Sequence, residues 1–500
     1  MSATTGRQGR LARSVCLTAF VFLLSGPLLL VWIHSSYNKE STLTLLPGVL
    51  GGLVGQKCAV PSLTLLVAWL GQKQPKLIME NNSAPRGPAE TPQRGDPLTR
   101  ELPTAEAEVY GDDVLLEEET LPWFDPRKWY PVRLGEVIIS RYQVLVKLGF
   151  GSVSTVWLCR DLRKHTFVAL KVYEPGHRQA ANETLVFDHL KSVAKIAEHR
   201  DRKLIRALLH SFQIDGPVGQ HVYLVYEPLC MSLEDVRLVA DGQLPINVMT
   251  SFIHFILRGL IYLHEVAKVV HTVDKVELTR FPPLDIQAGN FMLGTDATGV
   301  WDELVQEEWG DPAPRKVTQT GNYIYGPRSP DIPDDGIPII CDLGDAHFGD
   351  GPFTTEVMPD LFRAPEIILH IPSTEKIDIW GFGTHAEKPA EGFHIARMVS
   401  LLGNPPKDLL SRSKDSPDFF DEDGNLFTGR KDLDNSEITD YRSLEEGAKV
   451  LQGGEKNMFL AFIRKMLQWR PEDRPTAREL MNDPWLDLDT LINKDSSDLE

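Results

Sequence analysis

The chain has 500 residues, with 52 Lys and Arg against 70 Asp and Glu, a net charge of −18 that disfavours nonspecific nucleic-acid binding and suits basic partners. An apolar content of 42% and a charged content of 24% exclude fibrous or wholly disordered classes, and the length allows one large domain with extensions or two to three smaller ones. The five cysteines, Cys16, Cys58, Cys159, Cys230 and Cys341, are scattered without Cys-x-x-Cys spacing, which excludes a disulfide framework or zinc site and fits a reducing compartment.

Arg7, Arg10 and Arg13 precede an uncharged run, residues 15–33, long enough to cross a bilayer. Gly26-Pro27 interrupts it, as membrane helices tolerate. Three readings of residues 1–40 stay open: a single-span anchor, a cleaved presequence, or a stretch outside the working protein. Residues 41–120 read as a linker, largely disordered. Within it, 73–103 is rich in Pro, Asn, Gln and Arg, and 101–120 holds eight acids and no base, so it is expected to be solvated and mobile.

Ordered structure is expected from 121 onward. Tyr142-Gln143-Val144-Leu145-Val146-Lys147-Leu148 alternates and reads as a strand. Gly149-x-Gly151-x-x-Ser154-x-Val156 follows; glycines let a backbone turn approach an anion closely, with its N–H groups facing the charge. Residues 166–172 form a second strand carrying Ala169 and Lys171. Residues 181–193 are helical in pattern. Val186, Phe187 and Leu190 lie at i+3, i+4 and i+7 from Glu183, so Glu183 borders the core-facing stripe and Asp188 lies off it. A strand over 221–226 ends at Tyr226, followed by Glu227-Pro228-Leu229.

Further on, an apolar helix over 248–264 leads to His271-Thr272. Then come Asp285-Ile286-Gln287-Ala288-Gly289-Asn290, Cys341-Asp342-Leu343-Gly344 and Arg363-Ala364-Pro365-Glu366. Glu366 needs a buried cationic partner, and Arg474 is the candidate. Asp378, opening a helix at Asp378-Ile379-Trp380, can bond the backbone of the loop before Asp285.

In this order the motifs resemble the signature set of protein kinases. Trp129-Tyr130-Pro131-Val132-Arg133-Leu134-Gly135-Glu136, Ser154-Thr155-Val156-Trp157-Leu158, His271-Thr272 and Asp342-Leu343-Gly344 narrow the likeness to the SR-protein kinase family, over residues 121–486. The resemblance implies an α+β, two-lobed fold, with a β-rich small lobe at 121–228, a helical large lobe at 229–490 and a tail at 491–500. It implies a serine/threonine kinase using ATP and Mg²⁺, acting on basic Ser-rich proteins such as Arg-Ser-rich splicing factors in mRNA processing. No direct nucleic-acid binding is expected. The family works in cytoplasm and nucleus; a membrane anchor through residues 15–33 is the alternative.

The resemblance also assigns roles. Lys171 holds the α and β phosphates and Glu183 orients it. Asp285 accepts or orients the substrate hydroxyl proton. Asn290 and Asp342 bind metal. Leu148, Gly149, Gly151, Ser154, Val156, Ala169, Lys171, Tyr226, Glu227 and Leu229 form the nucleotide cleft, with 227–229 as the adenine hinge. Thr272 stands where many kinases have Arg, which implies activity independent of loop phosphorylation. The sequence departs from the family in four places: residues 273–284 separate Thr272 from Asp285, Gln287 replaces a lysine, the stretch after Trp380 is short, and the helix over 393–402 offers Phe393, Arg397 and Ser400 where the family's docking groove uses acids. A rival class therefore stays open, a pseudokinase that keeps the fold and has impaired transfer.

Overall fold

The computed structural model describes residues 107–240, 244–271, 288–318, 321–333, 335–349, 351–354, 358, 363–383, 391–427, 443–448 and 451–487. Several sequence assignments lie outside these residues: the apolar run 15–33, the linker up to 106, Thr272, the interruption at 273–284, Asp285, Gln287, the stretch 384–390 and the tail.

The chain is first described in a leader that contains β1 (Val109–Tyr110) and a 3-10 turn at Glu117–Thr120. Here the structure differs from the expectation of a solvated acidic stretch. Glu118 is buried at 6% exposure and pairs with the ammonium of Lys147, whose side chain is wholly buried. The acids of this turn meet cations that lie far away in sequence, and composition alone does not register that.

The small lobe is a six-stranded antiparallel sheet: β2 (Val137–Ile138), β3 (Tyr142–Gly151), β4 (Ser154–Asp161), β5 (Thr166–Tyr173), β6 (Leu208–Gly216) and β7 (Gly219–Tyr226), in the spatial order β2-β3-β4-β5-β7-β6. The helix α1 (Arg178–Ile196) crosses between β5 and β6. Alternation sorts the strands into two faces. Leu158, Ala169, Leu224 and Tyr226 face α1 and join the main core, with Val186, Phe187 and Leu190. Trp157, Cys159, Val168, Leu170, Tyr223 and Val225 form a second layer on the other face. That outer face is not left to water. Val132 of the leader and Tyr325, from a segment inserted in the large lobe, cover it, and Trp157 meets Tyr325 edge-on with ring centroids 5.8 Å apart. Each large side chain so buried contributes about 1.5–3 kcal/mol.

The large lobe opens with α2 (Leu233–Val239) and α3 (Ile246–Ile261), which runs on through a π-helical turn, Tyr262–Ala267. Together Ile246–Ala267 are long and apolar enough to span a membrane, but most of this stretch is buried as the lobe's core helix. The chain continues through β8 (Val269–Val270), β9 (Phe291–Gly294), α4 (Gly299–Gly310), β10 (Arg315–Val317), β11 (Tyr323–Tyr325), β12 (Ile337–Ile340) and β13 (His347–Phe348). β9 and β12 pair as a hairpin, and residues 295–336 between them are the inserted segment. Its β10 and β11 form a small sheet with β1 of the leader. Gly259 of α3 makes the hairpin's seat: a Cβ there would lie 2.6 Å from Ile340 Cδ1. The helices α5 (Pro365–Ile368), α6 (Lys376–Gly383), α7 (Glu391–Leu402) and α8 (Gly453–Met466) complete the lobe. The α+β, two-lobed architecture is the one the motifs imply.

Candidate active site

The site is built where the inner face of β5 meets α1 and the β9–β12 hairpin. Lys171 projects from β5 on the same face as Ala169 and Tyr173, as a period of two requires. Glu183 sits on the buried stripe of α1 at 2% exposure. The Lys171 Nζ lies 3.2 Å from Glu183 Oε2 and 3.2 Å from Asp342 Oδ1.

A buried carboxylate is costly unless its oxygens are bonded. Glu183 meets that need with two phenols besides the lysine. The Tyr173 hydroxyl donates to Oε2, and the Tyr226 hydroxyl donates to Oε1 at 2.7 Å. The Arg206 guanidinium lies 4.2 Å above the Tyr226 ring centroid. Burial alone would lower the Lys171 pKa, but the Asp342 and Glu183 carboxylates outweigh it and hold the ammonium well above the usual lysine range. Asp342 is only partly buried; the desolvation it does suffer opposes its ionisation, and Lys171 overrides that to hold its carboxyl below the usual range. Burial first, then the Glu183 charge, pushes both phenols far above ordinary tyrosine. They therefore act as neutral donors.

Asp342 has φ +54, in the left-handed region. Aspartate tolerates this better than most residues, yet the conformation still costs on the order of 1 kcal/mol. His271 helps to hold the neighbouring backbone: its Nε2 lies 2.8 Å from the Cys341 carbonyl oxygen. The His271 N–H donates to Asp378 Oδ2 at 2.9 Å, and His264 Nε2 lies 2.8 Å from the same oxygen. Asp378 thus grips the backbone at the start of the loop that leads to Asp285. Asn290 is buried at 5% exposure, and its carbonyl accepts from Cys341 N at 2.8 Å. That bond sets Asn290 next to Asp342 at the end of the hairpin.

Above the cleft, the turn joining β3 and β4 carries Gly149, Gly151 and Ser154. A Cβ at Gly149 would meet nothing within 4 Å, so that side of the backbone is open to a ligand. Leu148 and Val156 are half-buried and Ala169 is fully buried beneath this turn. Leu229 packs with Ile339 and Cys341, and with Met292 and Ile337 beside them, as the opposite wall. Glu227 is exposed. Tyr226, opposite Ala169 at the end of β7, also turns its hydroxyl inward to Glu183 and so supports the ion pair. Sequence reasoning missed Tyr173, although its spacing of two from Lys171 on one strand is a usable signal; Met292 and Arg206 carry no such mark.

Below the cleft, Glu366 and Arg474 form a two-pronged pair at 2.7 Å and 2.7 Å, with both side chains at 0% exposure. The guanidinium also donates to the carbonyls of Gln468 and Lys376. Arg397 of α7, one of the three side chains by which this helix departs from the family's acidic docking groove, is buried at 6% exposure.

A two-lobed α+β fold whose strand lysine is paired to a helix carboxylate and to an aspartate at the end of a β-hairpin defines a protein kinase. The sequence profile of the protein kinase domain matches residues 142–274. A serine/threonine protein kinase of Aspergillus fumigatus is 35% identical over 411 residues, 78% of this chain and 94% of that one. The serine/threonine-protein kinase SRPK of Physarum polycephalum is 29% identical across 75% of this chain and 93% of its own. SRSF protein kinase 3 of Mus musculus is 38% identical over 155 residues, 30% of this chain and 27% of its own. A crystallised kinase domain superposes with a TM-score of 0.55 at 19% identity, covering 73% of this chain and all of that one, which shows the shared fold. The chain belongs to the protein kinase family, among the SR-protein-kinase-like serine/threonine kinases.

Proposed function

We propose that this serine/threonine kinase transfers the γ-phosphate of ATP, with Mg²⁺, to serines in basic, Arg-Ser-rich proteins such as splicing factors. The observation that carries the proposal is the meeting of Lys171, Glu183 and Asp342 at 3.2 Å beneath an open glycine turn. A strongly charged ammonium there is a fixed counter-charge for phosphate oxygens. Asp342 and the neighbouring Asn290 offer hard oxygen ligands. Mg²⁺ takes one or two protein ligands and completes its shell with phosphate and water, which two such oxygens suit. Bound there, the ion offsets charge on the phosphates. Asp285 takes the role of orienting the substrate hydroxyl. The basic-substrate reading rests on the net charge of −18 and on the name of the mouse relative, a kinase of SRSF proteins.

The test is radiolabel incorporation from ATP into an Arg-Ser repeat peptide by the full chain, the Asp285→Ala variant and a form lacking residues 273–284. Removing the interruption is expected to raise transfer, since a misplacement of about 1 Å costs about a hundredfold, and Asp285→Ala to abolish it. No transfer by any form, with nucleotide still bound, would replace this reading with the pseudokinase one.

A further inference from the structure

We infer that Trp123, in the leader and outside the site, is a positioning residue for the glycine-rich turn, and that the leader and the large-lobe insertion together brace this turn. The inference rests on the kinase reading of that turn. The Trp123 Nε1–H donates to the Ser152 carbonyl oxygen at 2.8 Å. Ser152 is in the tip between β3 and β4, with Gly151 before it and Ser154 two residues on. The ladder holds the tip on the β5 side, where the Val153 carbonyl accepts from Glu174 N at 2.9 Å, and the Trp123 donor adds a hold on Ser152 from the leader.

The donor is itself anchored. Five residues before Trp123, Glu118 pairs with the buried ammonium of Lys147, on the strand that enters the turn. The Lys147 carbonyl accepts from Arg328 N at 2.9 Å, and the Arg328 guanidinium pairs with Glu308 of α4 at 2.6 Å. Beside this joint, Lys316 of β10 donates to Glu119 at 3.0 Å and to the Val114 carbonyl at 2.9 Å. β1 lies parallel to β10, with Val109 opposite Arg315. A continuous path therefore runs from the large-lobe hairpin through α4 and β10 into the leader, and ends on the turn that covers the phosphates. A turn held in place before nucleotide arrives has less freedom to lose on binding, which slows ligand escape.

Trp123→Phe in the full chain keeps the ring and removes the N–H. Amide hydrogen exchange without nucleotide, followed over residues 149–154, is expected to quicken about fivefold, the worth of one hydrogen bond. Release of a fluorescent ATP analogue in stopped flow is expected to quicken by a similar factor, with little change in melting temperature. Glu119→Gln, which weakens the joint to Lys316, is expected to act in the same direction and less strongly. Exchange at 149–154 equal to wild type in both variants overturns the brace. Faster exchange across the whole small-lobe sheet, with a lower melting temperature, overturns it too and assigns Trp123 to folding. If neither wild type nor variant binds the analogue, the nucleotide reading fails, while the exchange data still decide the brace.

Discussion

Two ion pairs of the molecule, one in the cleft and one in the large lobe, are built to opposite plans. Glu366 and Arg474 form a closed set: both side chains are at 0% exposure, two parallel bonds join them, and further guanidinium bonds go to backbone carbonyls. Lys171 with Glu183 and Asp342 is open on one side, since the Asp342 side chain keeps 42% exposure. Closure gives rigidity and leaves no capacity for a ligand. Openness leaves an ammonium and a carboxylate able to exchange partners when phosphate and metal arrive. A buried salt bridge is thus weak evidence of function until its unfilled directions have been examined.

The sharpest way to break the comparison is to remove one partner of the closed pair. Glu366→Ala strands the Arg474 guanidinium and is expected to cost about 3–5 kcal/mol. That is a large share of the roughly 5–15 kcal/mol that holds a domain together. Urea unfolding should show a much lower midpoint, or soluble protein should be lost.

Lys171→Met tests the open pair. Phosphotransfer should fall by about 10²–10³-fold, the usual worth of one preorganised charged contact. The urea midpoint should move far less than in Glu366→Ala. Equal losses of stability in the two variants would erase the distinction drawn here.

Tyr226→Phe sharpens it further. It removes one donor from Glu183 and keeps the ring beneath Arg206. Turnover should fall about tenfold, the worth of one bond to a charged group, with the fold intact by circular dichroism.

The smallest effect belongs to Glu117, in the leader. Burial raises its carboxyl to about 7, and the Lys147 charge opposes this only in part. An acid with a raised folded pKa binds its proton more tightly in the native state. Its stabilisation is complete below the ordinary carboxylate range, and is lost as pH rises through about 7. Glu117→Gln should therefore raise the melting temperature at pH 8 more than at pH 5, by about 2–4 °C for each kcal/mol recovered.

Much of this site was legible in the sequence, and the reasons are local. Glu183 showed itself through the spacing of Val186, Phe187 and Leu190, which fixes one helix face. Glu366 and Arg474 lay in recognisable strings. The leader was not legible. Glu117, Glu118 and Glu119 read as a solvated run, because their cations, Lys147 and Lys316, come from a strand and an insertion that only tertiary pairing brings near. Lys147 falls on the outer face of β3, a face that alternation assigns to water, and only Tyr325 and the leader make it an interior. Local patterns report which face a residue takes, not what later arrives to cover it.

The pairing of β1 with β10 also has a consequence in time. Val109 leaves the ribosome long before its partner Arg315. At about 5–20 residues per second, the nascent leader waits roughly 10–40 s for that strand to be made. Over this interval the aromatic outer layer around Trp157 lacks Tyr325 and is open to whatever else is nearby. The outer layer of the small lobe is therefore completed only after part of the large lobe has emerged.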